Sequence, residues 1–277
     1  MVRLSMNELT TLRWSFDEDV RHYAAAGFQA IAVWRQKISD FGELKSLELL
    51  DEAGLAVSAV LWAGGFTGSD GRSHKESIED ALEAVQLTAD LKAGSLIVYS
   101  GSRAGHTHNH AKRLFRDAVE ALLPQAEGSG VTLAIEPMHA GCASGWTFLT
   151  NLDETLELIR SFGSPNVKLV FDAYHFGHLP GIVERLPELS PWISLVQLGD
   201  ARRPPCGEQN RCRLGAGLLP LQAIMAALLA SGYAGDVDIE LMGEDLEDPD
   251  YAELLGHSRR VAGELLGSGM KTGGPEA

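Results

Sequence analysis

The chain predicts a single (β/α)8 barrel, and three observations carry that prediction. Short apolar strands alternate with helical stretches eight times, with no composition break between units. Strands such as Leu169-Val170-Phe171 are apolar on both faces, as in a parallel sheet covered by helices. Units five to eight each close on an oxygen-bearing polar side chain, and in a closed ring those four ends are neighbours that can converge on one point. An open, doubly wound sheet is the alternative, but it does not explain why those four ends are polar.

The first strand is expected over Leu4–Asn7, and Phe16 to Ala26 follows with helical spacing, stopped by Gly27. Gln29–Trp34 is the second strand, and Leu44–Ala53 is a helix ending at Gly54. Leu55–Trp62, the third strand, opens into the glycine-rich loop 63–72. Ser77–Leu91 is amphipathic, Ser95–Ser100 is the fourth strand, and Ala111–Glu127 is the next helix. The fifth strand, Val131–Glu136, is followed by a helix from Asp153 to Ser161. Val167–Asp172 and a short helix at 181–186 form the sixth unit. Ile193–Gln197 and the helix Leu218–Ala230, stopped at Gly232, form the seventh. Asp236–Glu240 and Tyr251–Leu266 complete the eighth. The barrel is therefore assigned to residues 1–266, and the glycine-rich tail 267–277 is expected to be disordered.

Bulk composition narrows the function. The 277 residues are 45% hydrophobic, an ordinary globular value that suits one large α/β domain. No apolar run approaches the roughly 18 residues that cross a bilayer, so no membrane association is expected. The net charge of −15 opposes a nucleic-acid partner, which needs clustered Lys and Arg. The three cysteines (Cys142, Cys206 and Cys212) are an odd number without zinc-knuckle spacing. With no signal-peptide core in Met1–Asn7, they point to a reducing, cytoplasmic setting.

The chemistry lies in the strand ends Glu136, Asp172, Gln197 and Glu240, each about one strand–helix unit from the next. A single acid at a strand end is equally well explained as a helix cap or a solvated loop residue. Three acids and an amide on successive staves are harder to dismiss, because clustered carboxylates repel and need a cation to remain ionised together. A four-oxygen donor set favours Mn²⁺ or Mg²⁺, with Co²⁺ or Zn²⁺ as lesser alternatives.

His175, three residues after Asp172, can bond a substrate hydroxyl or orient Asp172, although a loop histidine with a backbone partner explains it nearly as well. Arg203 can aim a guanidinium at a substrate oxygen, in competition with Arg202 and with simple solvent exposure. Trp34 and Trp62, at the ends of strands two and three, can form an apolar wall for a sugar or merely pack the barrel rim. His106, His108 and His110 alternate, but in a loop entering a helix a substrate contact by His106 outweighs a zinc site. Gly215-Ala216-Gly217 is too common a pattern to signify phosphate binding.

At these residues the chain resembles the xylose isomerase-like TIM barrels, the sugar phosphate isomerases and epimerases. Those proteins end strand five as Ile135-Glu136-Pro137 does here, carry Asp-x-x-His like Asp172 to His175, and close strand eight with a glutamate like Glu240. Leu214 to Gly217, Gly232 to Gly235, Ser15 to Glu18 and Ala26 to Phe28 are similar too, so the likeness spans most of residues 4–266. Many members place a histidine where this chain has Gln197, whereas those resembling hydroxypyruvate isomerase have glutamine. The endonuclease IV branch needs further histidines for three zinc ions and fits badly.

The resemblance implies an isomerase or epimerase of a small sugar or hydroxy-carbonyl compound, working by proton transfer through an enediolate. One divalent ion would sit on Glu136, Asp172, Gln197 and Glu240, and Glu136 and Glu240 would exchange protons with opposite sides of the substrate. The alternatives are an inosose dehydratase-like lyase and a barrel that binds a sugar without converting it. The expected partner is a small carbohydrate, with room left for a homo-oligomer. A two-metal hydride shift would need a further Asp-x-Asp cluster at the site, and Asp236 and Asp238 fall at the wrong end of strand eight.

Overall fold

A computed structural model describes residues 2–243, 246 and 250–267. Apart from Gly267, the tail expected to be disordered lies outside the described residues. Eight parallel strands run β1 (Arg3–Asn7), β2 (Ala30–Trp34), β3 (Ala56–Ala63), β4 (Ser95–Val98), β5 (Leu133–Ile135), β6 (Val167–Asp172), β7 (Ile193–Leu198) and β8 (Asp236–Ile239). Each pairs with the next, and β8 pairs with β1, which closes the barrel as the alternation predicts.

Ten α-helices accompany them among the described residues: α1 (Phe16–Ala25), α2 (Arg35–Phe41), α3 (Glu43–Ala53), α4 (His74–Asp90), α5 (His108–Ser129), α6 (Leu152–Ser161), α7 (Ala173–Phe176), α8 (Ile182–Leu189), α9 (Leu221–Ala230) and α10 (Tyr251–Leu265). Apolar periodicity misplaces several starts, because a capping residue rather than the first apolar one sets where a helix begins. Ser73 and Glu76 form a capping box that starts α4 at His74, and the Thr107 side chain starts α5 at His108. Leu218 is 79% exposed and lies before α9, which begins only after Pro220. Neither α2 nor the single turn of α7 is long enough to show a period; Asp172 caps α7, with Oδ1 accepting the Tyr174 N–H at 2.7 Å.

Alternation along the strands sorts the side chains into two cores. Leu169, Phe171, Val196 and Leu198 face the helices, while Ala32, Ala59, Ile97, Ala134, Val170 and Leu195 fill the barrel. Following the inward set one step further brings Trp34, Tyr99, Glu136, Asp172, Gln197 and Glu240 to the C-terminal mouth. Asp172 pairs in register with Gln197, so these two side chains stand abreast. Asp236 pairs with Arg3 at 2.7 Å at the other end, and Asp238 accepts the Asn7 side-chain N–H inside the barrel at 2.8 Å. Neither supplies a second acidic cluster at the mouth.

Outside the barrel wall, β1 and β2 lean on a buried charged network. Lys37 bridges Asp19 and the Thr11 carbonyl, and Glu8 Oε2 accepts the N–H of Trp34, the residue that precedes α2. Burial pushes the Asp19 carboxyl up to about 6 against the opposing pull of Lys37. Burial and the neighbouring Asp19 hold Glu8 well above the usual carboxylate range. Lys37→Met strips both acids of their countercharge and is expected to cost about 3–5 kcal/mol. Acids whose folded pKa exceeds the unfolded one stabilise at low pH and lose that contribution as pH rises through the folded value. The Lys37→Met deficit in thermal or urea unfolding should therefore be small near pH 4 and grow towards pH 8. A deficit independent of pH would remove the network from this role.

Candidate metal and proton-transfer site

The four strand ends open into one mouth, where Asp172 stands abreast of Gln197 and Gln197 bonds Glu240. Glu136, Asp172, Gln197 and Glu240 are all buried, which a set of solvated loop acids would not be. His175, held on the α7 turn, joins them, its Nε2 lying 3.6 Å from Asp172 Oδ2 and 3.9 Å from Glu136 Oε1. Glu136, Asp172 and His175 each offer one ligand atom within 4.8 Å of the others. Two ligands on one tetrahedral ion at ~2.1 Å stand about 3.4 Å apart, close to these spacings.

The donor set fits a divalent cation on a second ground. Glu136 Oε2, Gln197 Oε1 and His175 Nε2 are buried without a hydrogen-bond partner among the described residues. Leaving such atoms unpaired costs roughly 1–3 kcal/mol each, which a shared ion would offset. Oxygen donors with an imidazole beside them suit Mn²⁺, Co²⁺ or Zn²⁺ as well as the Mg²⁺ that an all-oxygen set would favour.

Burial dominates the electrostatics. Glu136 is held well above the usual carboxylate range by burial, then by Glu240 and Asp172, against the pull of the Tyr99 hydroxyl that hydrogen-bonds it. Glu240 is pushed up to about 7 by burial, with Arg211 opposing and Asp172 adding to the rise. His175 is pushed down to about 3 by burial despite the nearby Asp172, so it stands as neutral imidazole. Its Nδ1 lies 3.6 Å from the Cys142 thiol.

Arg211 is the residue that strand-end reasoning misses. Its side chain is fully buried, and Nη2 donates to Asp172 Oδ2 at 2.6 Å and lies 3.3 Å from Glu240 Oε1. The guanidinium also stacks 4.4 Å from the Tyr174 ring centroid. Gln197 Nε2 donates to the other Glu240 oxygen at 2.6 Å. Arg203, the candidate by sequence, is exposed on the same β7–α9 connection.

Opposite the acids stands an aromatic wall. Trp34 and Trp62 are stacked at 6.5 Å and 14°, and Trp62 meets Tyr99 at 5.7 Å and Trp146 at 5.3 Å. Trp146 is 41% exposed and belongs to the connection after β5, so no strand-end pattern marks it. His106 stays on the β4–α5 loop, its Nε2 3.2 Å from the Thr67 carbonyl, and no contact joins it to the acids. His108 turns away to pair with Glu154 at 2.7 Å, while the His110 ring lies 4.7 Å from that of His106 and its Nδ1 meets Arg113.

Comparison with known proteins places this mouth in context. A family model described as xylose isomerase-like TIM barrel matches residues 20–261. The chain is 24% identical to the inosose isomerase of Bacillus velezensis over 270 residues, covering 91% of each protein. It is 28% identical to the L-ribulose 3-epimerase of Mesorhizobium japonicum over 212 residues, or 72% of this chain and 66% of that one. A crystal structure of an IOLI protein with a bound zinc atom superposes with a TM-score of 0.83 at 19% identity, over 96% of this chain and 99% of that one.

Exchanging an amide for an imidazole at Gln197 should move the site towards softer ions. Gln197→His is expected to retain divalent-ion binding and to raise Zn²⁺ affinity relative to Mg²⁺ in competitive titrations. An unchanged ion profile would place Gln197 outside the ligand set.

Proposed function

The chain belongs to the xylose isomerase-like TIM barrels, and from that premise we propose that it is a divalent-ion-dependent isomerase or epimerase of a small sugar or related hydroxy-carbonyl compound. The observation that carries the reading is the pairing of Glu136 with Glu240, two buried carboxyls from different staves in one low-dielectric mouth. The ion, of which Mn²⁺ is the best fit to the donors, would be held by Glu136, Asp172, Gln197 and Glu240, with His175 beside it. When bound it would polarise the substrate carbonyl and acidify the neighbouring C–H.

The protein's own groups account for the rest. Burial pushes the Glu240 carboxyl up to about 7, and a buried carboxyl with raised proton affinity is the kind of group that general acid–base work requires. One of Glu136 and Glu240 would take the proton from a carbon next to the carbonyl, leaving an enediolate, and the other would return a proton to the opposite face of that carbon in an epimerase or to the former carbonyl carbon in an isomerase. The Tyr99 hydroxyl fixes the Glu136 carboxylate, and neutral His175 can donate to or accept from a substrate hydroxyl. Trp34 and Trp62 give the apolar face of a sugar a surface to stack on and keep water from the mouth. The names of the two curated relatives, an inosose isomerase and a ribulose epimerase, support the same class of substrate.

Turnover of a sugar panel in heavy water tests the reading. Deuterium should enter the product at the carbon whose configuration or oxidation level changes. Glu136→Gln and Glu240→Gln should each lower turnover by about 10²–10⁴-fold, the usual contribution of a general acid–base. Asp172→Ala should lose ion and activity together. Normal turnover by either glutamine variant would end the two-glutamate mechanism, and a product lacking the elements of water would make the enzyme a dehydratase instead.

A further inference from the structure

Among the groups at the mouth, Arg211 is the one to which the proton-transfer scheme gives no task. Nη2 lies between Asp172 Oδ2 at 2.6 Å and Glu240 Oε1 at 3.3 Å, spanning from β6 to β8. Gln197, on β7, stands between those two staves and donates to Glu240 at 2.6 Å. An ion held by Asp172, Gln197 and Glu240 would have to approach the same two carboxylate oxygens from the same side. We propose that Arg211 and the divalent ion are alternative occupants of one cation seat, the guanidinium neutralising Asp172 and Glu240 until an ion displaces it. The inference rests on the metal-dependent reading above and adds how the ion is admitted.

The seat is built for the arginine. Its side chain has no exposure, and the Tyr174 ring covers the guanidinium at 4.4 Å. Nη1 donates to Gln209 Oε1, and the Arg211 backbone N–H is tied to the Met242 carbonyl at 2.8 Å. Gly199 leaves the space the side chain fills, since a Cβ there would fall 2.8 Å from Arg211 Cδ and Nε. The hold is nonetheless incomplete, because Nε has no partner among the described residues. The backbone is pinned, while the charge is secured chiefly by two acids. His175 Nε2 lies 3.6 Å from the same Asp172 oxygen that Arg211 holds and 3.9 Å from Glu136, so His175 and Glu136 can receive an ion first and draw Asp172 away from the guanidinium.

Competition of this kind lowers the apparent ion affinity by the fraction of time the seat is open. The test is Mn²⁺ titration by calorimetry, without substrate, on chelator-stripped wild type, Arg211→Met and Gly199→Ala. Arg211→Met removes the competing charge, and Gly199→Ala keeps the charge but crowds Arg211 Cδ and Nε, its Cβ also reaching to 3.1 Å from the Glu240 carbonyl, which covers the case in which the first variant fails to fold. Each is expected to bind Mn²⁺ at least tenfold more tightly than wild type. Binding by the variants with none by wild type would support the exchange in its extreme form. Equal or weaker binding by the folded variants, with wild type binding normally, would overturn the exchange and leave the metal-dependent reading intact. Absence of binding by all three would overturn both.

Discussion

Like charge confined in a buried mouth is the constraint to which the rest of this molecule answers. Glu136, Asp172 and Glu240 approach one another where water cannot screen them, and an ionised carboxylate without a partner is costly there. The fold meets the cost with the Arg211 guanidinium on Asp172 and Glu240, the Tyr99 hydroxyl on Glu136, and proton affinities of the two glutamates raised above the ordinary range. A stable scaffold would place apolar residues at these positions. That the chain keeps acids there, at the catalytic end of a barrel, is the main reason to read them as chemistry.

The barrel divides its mouth into two unlike halves, and the division follows from which stave carries which side chain. Strands β2 to β4 end in Trp34, Trp62 and Tyr99, while β5 to β8 end in oxygen donors. The interior below alternates small residues, Ala32, Ala59 and Ala134, with the larger Ile97, Val170 and Leu195. A polyhydroxylated substrate offers the same division, with C–H faces for the aromatic half and oxygens for the polar half.

Much of this was legible in the sequence because strands impose a local rule. Once Val167–Asp172 is a strand buried on both faces, the direction of Asp172 follows from alternation, and the same holds for Glu136, Gln197 and Glu240. Loops obey no such rule. Arg203 and Arg211 occur in one connection with equal chemical promise, yet Arg203 is exposed and Arg211 reaches the acids. Helices α2 and α7 were invisible for a related reason, being fixed by contacts from elsewhere. Glu8 holds the N–H of Trp34, the residue that precedes α2, and Asp172 caps α7 while also facing the site.

The placement of Arg211 can be traced to one side chain. Asp200, just past β7, accepts backbone N–H groups from Gly215 and Gly217 on Oδ2 at 2.9 and 3.0 Å, and from Ala201 and Leu219 on Oδ1 at 2.8 and 3.3 Å. The glycine pair that resembles a phosphate loop is thus saturated by the chain's own carboxylate. Gly217 must be glycine for this, since a Cβ would fall 2.0 Å from Asp200 Oδ1. With Asp200 gripping both ends of the connection, the Cys212 N–H returns to the Asp200 carbonyl at 2.9 Å and sets Arg211 one residue from that clamp. A buried acid that holds only backbone therefore helps set which arginine confronts the acids of the mouth. Loop sequence could vary widely around the clamp and still deliver a cation to the same place.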